Sequence, residues 1–160
     1  MKKVISILCV FFVVITLAVP AFAASDPRKE LIEAVDMGVK VLEAKGRAGF
    51  DELKAYRFDN GLGYIYIGTL DHVVVMHPVS PELINKRLDF IKDSNGKFFG
   101  AEMVGKANKY GQGWTSYAWP NKAKGGAIET KCSHYKVAKL PDGSKLIVYA
   151  GTFGVDNCGE

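Results

Sequence analysis

The hydrophobic period of this chain first changes between residues 46 and 63, and that change restricts its fold more than any other feature. In SDPRKELIEAVDMGVKVLEAKG, Leu31, Val35, Val39 and Leu42 recur at helical spacing and form one apolar stripe. Asp26 is placed to cap this helix with Pro27 at its first position, and Gly46 to end it. From Gly63 the pattern turns β-branched and aromatic: GYIYIGTL and HVVVMH predict two strands paired as a hairpin across Leu70–Asp71. Pro78 and Pro81 then interrupt the sheet, because proline lacks a ladder donor. Three more strands are predicted over residues 113–120, 127–137 and 145–153, with Asp142-Gly143 turning between the last two. The intervening segments predict a short helix in FDELKAYRF, a short helix or loop in PELINKRL and a turn at DSNGK. A further helix in KFFGAEMVGKANKY is marked by Phe98, Met103, Val104 and Ala107. One long amphipathic helix with about five strands describes an α+β domain, an antiparallel sheet with the helix packed on one face.

Residues 1–23, MKKVISILCVFFVVITLAVPAFA, carry a positive start at Lys2 and Lys3, an apolar run, and the small-x-small end Ala21-Phe22-Ala23. That is the pattern of a secretory signal peptide. The apolar run is shorter than the ~20 residues a membrane span needs, and Cys9 lacks the small residues that precede a lipoprotein anchor. The expectation is export across the inner membrane, a periplasmic location, and one domain over residues 24–160 without a membrane anchor. Basic and acidic residues, 21 and 17 in the whole chain, alternate without a long block. This excludes the dense basic face of a nucleic-acid binder and suits a small anion. Two cysteines follow the leader, Cys132 and Cys158; in an oxidising compartment they are expected to bridge and pin the C-terminal tail to a strand. Closing that loop contributes about 3 kcal/mol.

The stretch from Gly113 to Tyr135, GWTSYAWPNKAKGGAIETKCSHY, is too aromatic for an ordinary loop and too polar for an ordinary core. Period-two geometry puts Thr115, Tyr117 and Trp119 on one strand face, and Lys131, Ser133 and Tyr135 on one face of the next. Trp114 falls on the face beneath the long helix unless a β-bulge turns it toward the pocket side, and Cys132 and His134 point opposite Lys131. If the two strands pair, Tyr117, Trp119, Lys131 and Tyr135 line one concave surface. An ammonium framed by phenols and an indole suits a small carboxylate. The same types also fit a plainer description, aromatic residues in a core and a lysine on a solvated face. His77, before Pro78, lies where a strand meets a loop, a natural rim for a site and equally a solvent-facing strand end. His72, His77 and His134 match no zinc spacing, so no metal is expected. There is no nucleophile elbow, metalloprotease motif or phosphate loop; no cofactor and no enzymatic reaction are expected.

Taken in order, GYIYIGTLDHVVVMHP, PELINKRLDFIKDSNGKFF, GWTSYAWPN, ETKCSHY and VYAGTF resemble the single Cache domain, Cache type 2, of extracytoplasmic bacterial sensors. The resemblance covers nearly all of residues 24–160. It implies a PAS-like fold, a long N-terminal helix against an antiparallel sheet with a ligand pocket between sheet and loops. Members bind small molecules, often short carboxylates, in chemoreceptors or sensor kinases. By position, His77, Tyr117, Trp119, Lys131 and Tyr135 become the ligand-binding candidates, with Arg57, Tyr66 and Trp114 in support. Lys131 would anchor the anion, His77 and Tyr117 would hydrogen-bond it, and Trp119 and Tyr135 would wall it.

The chain departs from the family pattern at Asn85 (glycine), Lys122 (proline) and Phe153 (tyrosine). Tyr135 follows Lys131 by one residue more than usual, which leaves the strand register open. No apolar span follows Phe153. The implied function is an exported sensor domain acting in signal transduction or chemotaxis through a separate membrane chemoreceptor or sensor kinase. The alternative is a protein–protein docking module of the same fold without a small ligand.

Overall fold

The computed structural model describes residues 26–155 and 158–159; the expected signal peptide lies outside the described residues. Asp26 caps the first helix, its carboxylate accepting from the Arg28 N–H at 3.0 Å. Helix α1 (Pro27–Lys45) follows and ends at Gly46, as its stripe and caps require. Its buried face carries Leu31, Val35, Val39 and Leu42. Helix α2 (Phe50–Ala55) is shorter than expected. The Arg57 guanidinium donates to the Lys54 and Tyr56 carbonyls, occupying acceptors that a continuing helix would use. Arg57–Phe58 instead forms a two-residue edge strand, β1.

Strands β2 (Gly63–Thr69) and β3 (Val74–Met76) form the expected antiparallel hairpin, with a register shift at Ile67/Gly68. Residues 78–98 then cross the sheet as one-turn 3-10 helices, Pro81–Leu83 and Leu88–Phe90, and a turn whose Asp93 carboxylate accepts from the Asn95 and Lys97 N–H groups. Helix α3 (Phe99–Tyr110) comes next. Phe98, assigned to its apolar stripe from the sequence, is the N-cap residue and stays 46% exposed, while Phe99 is buried. A methyl group at Gly100 would lie 2.3 Å from the Leu88 carbonyl oxygen, so this helical glycine is what lets the crossing segment approach.

Strands β4 (Gln112–Asn121), β5 (Ala127–Lys139) and β6 (Lys145–Phe153) complete one antiparallel sheet in the order β1-β2-β6-β5-β4, with β3 also on β2. Among the described residues it has six strands against about five expected, β1 being the addition. The β4–β5 register runs unbroken from Gln112 opposite Lys136 to Asn121 opposite Ala127, which closes the question raised by the Lys131–Tyr135 spacing. Alternation sorts the two faces. Ile65, Ile67, Cys132, Val148 and Ala150 pack under α1, while Tyr64, Tyr66, Tyr117, Tyr135 and Tyr149 pack under α3 and the crossing segment. Cys132 and Cys158 are bridged with Cα atoms 5.4 Å apart, tying the C-terminal segment to β5 as expected.

Candidate functional site

The register sets Tyr117 opposite Lys131, and Lys131 opposite Phe153 on its other side. Gly151 of β6 faces Tyr64 of β2 on one side and Ser133 of β5 on the other. A Cβ at Gly151 would lie 2.6 Å from the Lys131 Cε, so the bare glycine is the gap through which the lysine stem crosses β6 to reach β2. There the ammonium donates to the Tyr64 hydroxyl at 2.5 Å. It also lies 4.0 Å from the centroid of the Tyr64 ring and 5.2 Å from that of Phe153.

Lys131 is 1% exposed, and among the described residues no carboxylate pairs with it. Burial alone lowers its pKa from 10.5 to about 7. His77 is buried between Tyr64 and Tyr66, ring centroids 5.2 and 5.1 Å away. Its Nδ1 accepts from the Ser80 N–H at 3.0 Å and the Val79 N–H at 3.4 Å. A ring whose Nδ1 accepts carries its proton on Nε2 when neutral. Burial, and then the nearby Lys131 charge, lowers the His77 pKa to about 3, so the ring is a neutral donor. The Tyr117 ring stacks on Phe99 at 4.1 Å and its hydroxyl lies 3.1 Å from the Ser133 Oγ. Burial pushes that hydroxyl up to about 12, keeping it protonated.

These groups enclose a cavity of about 20 Å3, whose lining includes Tyr64, Tyr66, His77, Tyr117, Trp119 and Lys131. A second cavity of about 280 Å3 shares Tyr64 and Trp119 with the first and continues past Leu62, Val79 and Phe153. Lys122, at its rim, donates to the Val79 carbonyl at 2.9 Å and to the Ser80 Oγ at 3.2 Å, linking the β4–β5 turn to the crossing segment.

Four of the five sequence candidates, His77, Tyr117, Trp119 and Lys131, therefore meet at one cavity. Tyr135 does not. It shares their sheet face, but four residues of strand put it about 13 Å along β5 from Lys131. Its hydroxyl lies 3.0 Å from the Thr115 Oγ1. Of the supporting candidates, Tyr66 lines the cavity. Arg57 is committed to backbone carbonyls. Trp114 sits on the α1 side as expected, stacked on His134 at 4.3 Å beneath Arg28. The sequence reading missed Tyr64, the residue that holds the ammonium. Its signal was present, since period two places Tyr64 and Tyr66 on one face, but its bond to Lys131 spans 67 residues of sequence. Among the described residues no group of three or more His, Cys, Asp or Glu is placed to hold a metal. No described helix is long and apolar enough to cross a membrane.

Comparison with known proteins agrees with this architecture. The Cache domain family model matches residues 44–140. The chain is 32% identical over 99 residues to the methyl-accepting chemotaxis protein McpP of Pseudomonas putida, a match covering 61% of this chain and 18% of that protein. It thus spans under a fifth of that relative's length. A solved structure described as the structural basis for carboxylic acid recognition by a Cache chemosensory domain superposes with TM-score 0.64 at 26% identity. That superposition covers 78% of this chain and 91% of the other. A periplasmic sensor domain of a chemotaxis protein superposes with the same TM-score at 28% identity, covering 79% and 92%. By its sequence match, its helix-on-sheet layout and these structural neighbours, the chain belongs to the Cache domain family.

Proposed function

We propose that this domain binds a small organic carboxylate at Lys131 and, exported to the periplasm, passes its occupancy to a separate membrane chemoreceptor or sensor kinase. The observation that carries this reading is a buried ammonium with a phenol for company and, among the described residues, no carboxylate. Removing an unpaired charge from water costs several kcal/mol, so such charges are ordinarily paired. An anion arriving at Lys131 supplies the missing partner. The His77 Nε2–H and the Tyr117 hydroxyl are the neutral donors beside it, and Trp119 walls the apolar side. The likeness to chemotaxis sensor domains, one of them a carboxylic acid binder, supports both the ligand class and the signalling role. The domain's part is recognition, and no reaction is proposed for it.

The docking-module reading has less support. Trp114 and Trp119 are half-buried, and the aromatic residues around Lys131 face a cavity rather than solvent. A thermal-shift screen of small carboxylates tests the choice. A ligand at ~100 times its Kd stabilises the fold by ~2.7 kcal/mol. A hit lost in Lys131→Ala supports the sensor reading. A hit that Lys131→Ala retains, or a flat screen on folded protein, contradicts it.

A further inference from the structure

The inner cavity at Lys131, about 20 Å3, has room for a single water and not for a carboxylate bearing substituents. The outer cavity, about 280 Å3, approaches the range of small-ligand pockets. The two meet at Tyr64 and Trp119. The Lys131 ammonium stands at that junction, bonded to the Tyr64 hydroxyl and near the Phe153 ring, and both rings belong to the outer cavity's wall.

The rest of that wall offers apolar surface from Leu62, Val79, Trp119 and Pro120. Its polar groups are already engaged. The Asn121 side chain bonds Glu129 and the Ala123 N–H. The Lys122 ammonium is spent on Val79, Ser80 and, at 3.5 Å, Glu82. A second carboxylate at the mouth would meet a cation already paired with an acid, whereas an alkyl or aryl group would meet rings and branched chains.

From this arrangement we infer that the ligand is an amphipathic monocarboxylate. Its head displaces the Tyr64 hydroxyl from Lys131, and its apolar tail, several carbons or one aromatic ring, lies in the outer cavity. This rests on the carboxylate reading above and adds the ligand's shape. Each methylene transferred from water to that wall strengthens binding about fourfold.

Calorimetric titration at pH 6.5 with acetate, butyrate, hexanoate, phenylacetate and succinate tests it, using the parent protein, Lys131→Met and Leu62→Asn. The expected result is affinity rising about tenfold or more from acetate to butyrate and again to hexanoate, with phenylacetate above acetate. Succinate falls below butyrate, and Lys131→Met abolishes all binding. Leu62→Asn narrows the hexanoate-to-acetate ratio at least fivefold. Lys131-dependent binding in which acetate or succinate equals or exceeds hexanoate overturns the tail and leaves the carboxylate reading standing. Binding of none of the five acids, or binding indifferent to Lys131→Met, overturns both. The length series on the parent protein decides the matter even if Leu62→Asn does not fold.

Discussion

The Lys131 ammonium and the Tyr64 hydroxyl lie 2.5 Å apart across an intervening strand, joined over Gly151, with the Tyr64 ring 4.0 Å from the charge. Burial raises the tyrosine's pKa and lowers the lysine's, so both are pressed toward their neutral forms. A double-mutant cycle measures the bond. Tyr64→Phe in the parent strands a buried donor and is expected to cost about 1–3 kcal/mol. The same change on a Lys131→Met background costs less, leaving a coupling of about 1 kcal/mol or more in urea unfolding. Additive effects would show that the two groups are not bonded in solution.

Lys131→Met also separates stability from function. A lone buried cation is unfavourable, and an apolar side chain of similar length removes that penalty, so the variant is expected to be about 2 kcal/mol more stable than the parent at pH 6. It binds no carboxylate. Equal or lower stability on denaturant unfolding would mean that the ammonium has a partner in solution.

The pH dependence follows from the same residue. Folded Lys131 titrates near 7 against an ordinary 10.5, so between those values the unfolded chain holds one more proton. The stability of the ligand-free protein therefore rises as pH rises from 7 toward 10.5, and the burial penalty is complete below 7. His77, at about 3 against 6.5, acts in the same sense at lower pH: stability falls as pH drops from 6.5 toward 3. Carboxylate affinity, which needs the charged lysine, levels off below about pH 6 and falls up to tenfold per pH unit well above 7. Thermal melts and titrations across pH 5.5–9.5 check both slopes, and Lys131→Met removes the alkaline one.

Gly151→Ala puts a methyl where the Lys131 stem passes, 2.6 Å from Cε and 2.7 Å from the Ser133 Oγ. The lysine is expected to be pushed off its crossing, weakening carboxylate binding at least tenfold. The sheet survives, since Gly151 sits in a regular ladder position. Circular dichroism with calorimetry distinguishes this from global unfolding.

Reducing the Cys132–Cys158 bridge opens a 26-residue separation on the α1 face of the sheet. The expected loss is about 3 kcal/mol, a drop of roughly 10 °C in Tm. Because Cys132 points away from Lys131, ligand affinity measured well below the reduced Tm stays within about twofold. A larger change would link the two faces.

The layout of the sheet was legible because alternation is a local signal. Ile65 and Ile67 against Tyr64 and Tyr66, or Cys132 against Lys131, declare their faces within a few residues. The two-residue strand β1 has no period to read, and of the adjacent Phe98 and Phe99 the stripe assigns the wrong one, because Phe98 is the N-cap and Phe99 the buried residue. Within the site, a shared face was mistaken for shared position. Tyr135 is on the correct side of β5 but sits four residues along the strand from Lys131, outside the cavity lining. Tyr64 went unassigned because its role depends on β6 lying between β2 and β5, a long-range pairing that no local pattern encodes.

The most direct measurement is calorimetric titration of acetate, butyrate and hexanoate into the parent protein and Lys131→Met at pH 6.5. Saturable binding to the parent and none to a folded Lys131→Met is the expected result. Equal binding to both, or none to either, would contradict the assignment of Lys131 as the anion's anchor.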